Sequence, residues 1–331
     1  MTSRPVTTRP PFDPELVPQL EAMAAFGPKV GPDTLAAIRQ VFIDGVPEFP
    51  QPDYTAGGTV VVEEPHAPGL NGAPDVPLLV LRPAEASAPV PGILYIHGGG
   101  MVVGTARQGP DMHLLPRVSA GEAVAVSVDY RLAPEHPDPA PVEDCYAALL
   151  WLAAHAEELG VDPERLMVFG MSAGGGLAAG TALMARDRGT PVLSHQILLC
   201  PMLDDRMTTH SSQMLLDEGG WDRESNEFGW AALLGDRRGG DAVSAYAAPA
   251  RAADLGGLPR TYIDCGSVET FRDEILDYAQ RLSAAGVSVD LHMWGGGFHG
   301  FDGMYSDAAI SRASRAVREE FLTRALASPA R

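Results

Sequence analysis

The chain has 331 residues, 45% of them hydrophobic and 20% charged, a balance that supports a large buried core. Its 24 basic against 43 acidic side chains leave a formal charge of −19, which repels phosphate backbones and anionic lipid surfaces and argues against nucleic-acid binding. No run of about 20 uninterrupted apolar residues marks a membrane span. The opening MTSRPVTTRPPFDPEL also lacks the apolar stretch and cleavage site of a secretory signal, so a cytoplasmic protein is expected.

Residue chemistry narrows the field further. Cys145, Cys200 and Cys265 lie far apart with no C-x-x-C pair, so free buried thiols are expected rather than disulfides or a cysteine zinc site. Lys29 is the sole lysine and sits in a Pro/Gly-rich stretch, which leaves Schiff-base and phosphate-loop chemistry without a residue to carry it. The nine histidines show no H-E-x-x-H spacing. Neither a metal nor an organic cofactor is expected.

Residues 1–50 are proline-rich but contain amphipathic pieces, Leu16 to Phe26 and Thr34 to Phe42, with Asp33 placed to cap the second. From Thr59 onward short β-branched runs alternate with longer helical patterns. The runs are Thr59 to Val62, Leu78 to Leu81, Ile93 to Ile96, Ala123 to Val128, Leu166 to Phe169, Gln196 to Cys200, Arg260 to Asp264 and Ser288 to Met293. That alternation predicts an α/β fold, a mostly parallel sheet with helices on both faces. Val142 to Leu159 repeats apolar residues at helical spacing and stops at Gly160, so it should cover the sheet. Residues 204–250 contain no convincing strand. Together with 1–50 they are expected to form a helical cap above the carboxyl ends of the strands, on one domain spanning 1–331 whose core is 51–203 and 251–331.

The strand Leu166 to Phe169 runs directly into Gly170-Met171-Ser172-Ala173-Gly174, a G-x-S-x-G sequence that opens a helix. A serine at such a strand-to-helix turn is held in strained backbone with its hydroxyl exposed, and small neighbours are needed where strand and helix approach. A hydroxyl attacks only when a base removes its proton, and the tetrahedral oxyanion needs preorganised donors. His97-Gly98-Gly99-Gly100 follows the strand Ile93 to Ile96 and leaves bare backbone N–H groups; the N–H of Ala173 would complete the set. His299, in the glycine-rich loop Trp294 to Phe301, is the favoured base. His292 falls within a strand pattern, and His97 is better placed to orient its own loop. For the acid that orients the imidazole, Glu269 lies in the loop after the strand Arg260 to Asp264, with Asp264 and Asp273 as alternatives.

With these motifs assembled, the sequence resembles the bacterial hormone-sensitive-lipase-like (type IV) esterases of the α/β-hydrolase superfamily. The likeness rests on HGGG at 97–100, GMSAGG at 170–175 and the YRLAPEHP of Tyr130 to Pro137. The last has no evident chemistry and is expected to support the site from below. The resemblance implies a Ser172, Glu269, His299 triad, with Gly99, Gly100 and Ala173 as oxyanion donors. It further implies carboxylic ester hydrolysis on small, moderately apolar substrates and a homodimer formed through an edge strand. Two positions depart from the family pattern: Met171 stands where Asp is common, and Glu269 where the acid is commonly Asp. A lactone or amide hydrolase and an acyltransferase would use the same residues, and a non-catalytic receptor on the same scaffold would lose the serine or histidine.

Overall fold

Alternation of side chains along a strand sends odd and even residues to opposite faces, so a sheet buried on both sides needs strands that are apolar throughout. The predicted runs have that character. A computed structural model describes residues 8–26, 29–45, 52–85, 88–303 and 307–328. Its strands are β1 (Val60–Glu63), β2 (His66–Ala67), β3 (Val76–Pro83), β4 (Val90–Ile96), β5 (Val124–Val128), β6 (Val161–Met171), β7 (Leu193–Leu199), β8 (Arg260–Gly266) and β9 (Val289–Trp294). Each predicted run falls on one of them; only the two-residue β2, too short to show a period, has no counterpart in the sequence pattern.

The sheet order is β1-β3-β5-β4-β6-β7-β8-β9, with β2 paired to β3. From β5 to β9 all pairs are parallel, while β1, β2 and β5 pair with β3 antiparallel. The helices are α1 (Val17–Phe26), α2 (Leu35–Asp44), α3 (Pro110–His113), α4 (Leu115–Ser119), α5 (Ala140–Ala154), α6 (Ala156–Leu159), α7 (Ala173–Arg188), α8 (Ser211–Met214), α9 (Arg223–Leu234), α10 (Arg272–Ala284) and α11 (Ala309–Ala327). Strand parity divides the core. Leu94, Val126, Val168 and Ile263 pack on the side of α5, α7 and α10, whereas Ile93, Ala125, Phe169 and Tyr262 pack on the side of α4 and α11.

Two local expectations are corrected. The helix expected over 142–159 is split at His155 into α5 and α6, and Gly160 ends the second piece in a left-handed conformation at φ 70°. Asp33 does not cap α2, because it lies inside the preceding turn, one residue too early; Thr34 occupies the cap position, and its Oγ1 accepts the Gly31 N–H at 3.0 Å.

The element that positions the site is α7, which rises straight from the end of β6 and presses on β4. A Cβ added at Gly174 would lie 2.1 Å from the Ile96 carbonyl oxygen and 2.4 Å from that of His97. Gly174→Ala should therefore destabilise the chain by about 1–3 kcal/mol through overpacking, read as a lower urea midpoint; an unchanged midpoint would show that α7 is free to move away from β4.

Candidate active site

Ser172 joins β6 to α7 with φ 58° and ψ −123°. A non-glycine residue in this region costs on the order of 1–3 kcal/mol and persists only where its surroundings dictate it. Here the Ser172 N–H donates to the Leu199 carbonyl at 2.8 Å, and its own carbonyl accepts from the N–H groups of Gly176 and Met202, each at 3.0 Å. The turn is pinned on both sides. A Cβ at Gly170 would lie 2.0 Å from the Gly174 carbonyl oxygen, so the glycines flanking the serine are required by space.

His299 comes from the loop after β9 and Glu269 from the loop after β8. His299 Nε2 lies 2.9 Å from Ser172 Oγ, and Nδ1 lies 2.8 Å from Glu269 Oε1. Ser172 and Glu269 are buried and the His299 side chain is 10% exposed. The remaining acid candidates are engaged elsewhere. Asp264 accepts from the Tyr262 hydroxyl and the Cys200 N–H, and Asp273 from the Ser211 N–H and the Arg272 guanidinium. His292 stacks on Tyr262 within the edge of the sheet.

The glycine loop after β4 crosses directly over the serine, since a Cβ at Gly98 would lie 3.3 Å from Ser172 Cβ. Gly99 and Gly100 have φ of 102° and 62°, and among the described residues their N–H groups donate to no protein acceptor. Ala173 is the first residue of α7, where no intrahelical partner exists for its N–H. Three backbone donors thus remain available around Ser172.

His97 sits fully buried under this loop, where burial lowers its pKa to about 4 and keeps the ring neutral. Its Nδ1–H donates to the Gly98 carbonyl at 2.8 Å, and its ring stacks on Tyr130 at 4.2 Å between centroids. The Tyr130 hydroxyl donates to the His97 carbonyl at 3.0 Å, and the Ala133 N–H donates to the Met101 carbonyl at 2.9 Å. The Tyr130 to Pro137 segment therefore holds the glycine loop from beneath. The same segment reaches the N-terminal region, because Arg39 of α2 bridges Glu135 and the carbonyls of Val102 and Ala133.

A scan of known families matches residues 93–303 to the alpha/beta hydrolase fold. The chain belongs to the alpha/beta-hydrolase family. It is 39% identical over 228 residues to Carboxylesterase NlhH of Mycobacterium tuberculosis, covering 67% of this chain and 70% of that one. Among solved structures it resembles a bacterial heroin esterase, with TM-score 0.84 at 40% identity over 96% and 98% of the two chains. It also resembles esterase LipW from Mycobacterium marinum, with TM-score 0.83 at 34% identity over 98% and 99%. The branch is the hormone-sensitive-lipase-like one, a group of serine carboxylesterases.

Several residues around the hydrolase site carry no motif. Trp221 stands before α9 with its ring tip against Gly100, where an added Cβ would lie 2.3 Å away, and 6.3 Å from the His299 ring. The His299 N–H donates to the Gly219 carbonyl at 3.3 Å, so the loop that carries Trp221 also steadies the histidine. That loop is tied to the N-terminal segment by Arg9 on Glu218 and by Lys29 on Asp217 and Asp222. Lys29 pairs with Asp217, Asp222 and Glu224, a cluster with ligand spacing for a cation, and offsets one of its three negative charges. Among the described residues no helix is long and apolar enough to cross a membrane.

Downstream of His299, Asp302 anchors the loop to α11. Its Oδ2 accepts from Ser314 Oγ at 2.7 Å and from Arg318 Nη1 at 2.8 Å. Burial works against the Asp302 charge, but Arg318 holds its pKa below the usual carboxylate value; burial and the Asp302 charge push Asp264 up to about 7 against the opposing pull of Arg318. Only a long-range pairing, invisible to sequence spacing, links these residues. Arg318→Met would leave the Asp302 carboxylate buried without its cation and should cost about 3–5 kcal/mol; denaturant unfolding that shows a loss under about 1 kcal/mol would place Asp302 in contact with solvent instead.

Proposed function

We propose that the chain hydrolyses small, moderately apolar carboxylic esters through an acyl-enzyme on Ser172. The observation that carries this reading is the unbroken line of hydrogen bonds from Ser172 Oγ through both nitrogens of His299 to the buried carboxylate of Glu269. His299 Nε2 takes the hydroxyl proton as Ser172 Oγ attacks the ester carbonyl carbon. Glu269 Oε1 accepts the Nδ1–H, which fixes the tautomer and stabilises the imidazolium. The oxyanion is held by the N–H groups of Gly99, Gly100 and Ala173, each contributing on the order of 2.7–4 kcal/mol to the transition state. Collapse expels the alcohol, protonated by Nε2–H. Water, deprotonated by the same nitrogen, then attacks the acyl carbonyl and releases the acid and the free serine.

The preference for small esters is supported by enclosure. α1, α2 and the 204–250 region act as the cap, and Trp221 between Gly100 and His299 limits the room beside the reacting carbonyl. Met171, which stands where the family commonly has Asp, packs partly buried against the core on the side of α4 and α11, and its Cε lies beside Gly300, the residue after His299. A homodimer through β9 is supported by the place of that strand at the sheet edge and by Leu291 and Met293, 40% and 52% exposed.

A panel of chromogenic esters of increasing acyl length tests the mechanism. Ser172→Ala and His299→Ala should each lower kcat by about 10⁶-fold and Glu269→Gln by about 10⁴-fold, with a fluorophosphonate attached to Ser172 alone. Wild-type turnover by Ser172→Ala would overturn the reading. Trp221→Ala should move the preference toward longer or bulkier acyl groups, seen as a rise in relative kcat/KM along the panel; an unchanged profile would remove Trp221 from the substrate pocket.

A further inference from the structure

Cys200, immediately after β7, is a buried nucleophile that the ester mechanism leaves unused. Its backbone has φ 35°, and its N–H donates to the Asp264 carbonyl at 3.0 Å, which fixes the residue beneath the site. Cys200 Sγ, one Glu269 carboxylate oxygen and one His299 ring nitrogen lie within 4.8 Å of one another. Glu269 is fully buried, and its Oε2 has no hydrogen-bond partner among the described residues. A buried carboxylate oxygen without a donor is costly, and it signals a place where a cation is welcome.

The donor set has a definite chemical preference. Zinc binds thiolate sulfur at about 2.3 Å and imidazole nitrogen or carboxylate oxygen at about 2.0–2.2 Å in tetrahedral geometry, so ligand atoms around one ion stand about 3.3–3.8 Å apart. To meet that spacing Cys200 Sγ must approach the other two groups by up to about 1 Å, while His299 Nδ1 and Glu269 Oε1, 2.8 Å apart, must spread by about 0.5 Å. One thiolate and one carboxylate neutralise a divalent ion, so the occupied site buries no net charge. Sulfur with imidazole favours zinc, whereas magnesium and calcium demand oxygen ligands.

We propose that a thiophilic divalent cation, represented by zinc, binds Cys200 Sγ, His299 Nδ1 and Glu269, with water as the fourth ligand, and so switches the hydrolase off. The inference rests on the ester mechanism above for its consequence, but not for the binding itself. The thiol proton passes to solvent. The imidazole proton moves from Nδ1 to Nε2, and Nε2–H then donates to Ser172 Oγ instead of accepting its proton. The ion sits behind the imidazole rather than over the serine, so substrate still enters while turnover stops.

The test uses the full chain stripped of metal by a chelator. Ester hydrolysis is followed across a zinc titration, and cobalt(II) is added in parallel to read a thiolate-to-metal charge-transfer band. In wild type, saturating zinc should lower kcat by roughly tenfold or more while KM stays within about twofold, EDTA should restore the rate, and one equivalent of cobalt should produce the band. Cys200→Ala, compared with its own metal-free rate, should need roughly tenfold more zinc and give no band. Cys145→Ala and Cys265→Ala should respond like wild type. Should Cys200→Ala fail to fold by circular dichroism, Cys200→Ser provides the same comparison.

The proposal is overturned if the Cys200 variant is inhibited at the wild-type zinc concentration. A response that disappears with Cys265→Ala, or wild-type turnover that survives millimolar zinc, would overturn it as well. Because cobalt absorbance needs no turnover, a chain that binds cobalt through Cys200 yet cleaves no ester would sink the ester mechanism and leave the metal site standing.

Discussion

Everything at this site depends on the close contact between the start of α7 and the end of β4. Glycines at 170 and 174 let the helix leave the strand at a sharp angle: the Gly174 carbonyl occupies the volume a side chain at 170 would take, and the carbonyls of Ile96 and His97 that of one at 174. At that contact Ser172 takes a positive φ, and the Gly98 backbone passes close to its Cβ. The serine turn and the glycine backbone beside it are therefore one packing event. Neither could be shifted without moving the other, which is why the strained serine persists.

Glycine-rich loops carry a cost in order. The loop of 97–100 has little side-chain mass to fix it, whereas the loop of 295–303 buries Phe298 and Phe301 against Leu16 and Ala308; each also borrows rigidity from outside. For the first, the stacked pair of His97 and Tyr130 and the bond from Ala133 to Met101 supply it. For the second, the Asp302–Arg318 ion pair anchors one flank to α11, while the Gly219 carbonyl holds the His299 backbone from above. The imidazole is held in place because buried aromatic side chains, an ion pair and backbone hydrogen bonds oppose the conformational entropy of its loop.

The described N-terminal residues and the 217–222 stretch are tied to one another and to the site. Lys29 and Arg9 bind the acidic stretch around 217–222, and that stretch presents both Trp221 and the Gly219 carbonyl to the site. Arg39 ties the N-terminal helices to the segment beneath the glycine loop. Electrostatic contacts of Arg9, Lys29 and Arg39 thus reach groups surrounding the serine from both sides. Changes in the N-terminal segment would reach the chemistry through geometry rather than through contact with substrate.

The primary structure by itself determined the strand rhythm, the parallel α/β architecture and the serine turn, because short continuous apolar runs and the spacing of small residues are local properties of the chain. His299 and Glu269 were also legible, since each follows a predicted strand in a loop of suitable composition. Tertiary structure decided what local pattern cannot express. It chose Glu269 over Asp264 and Asp273 as the neighbour of the histidine, because the direction of a side chain leaving a loop depends on how that loop packs. Only packing brought Tyr130 under His97, Arg318 to Asp302, Trp221 against Gly100 and Cys200 beside Glu269, pairs separated by sixteen residues to more than one hundred and carrying no sequence period. Such contacts are set by the order in which strands join the sheet, a property of the folded whole.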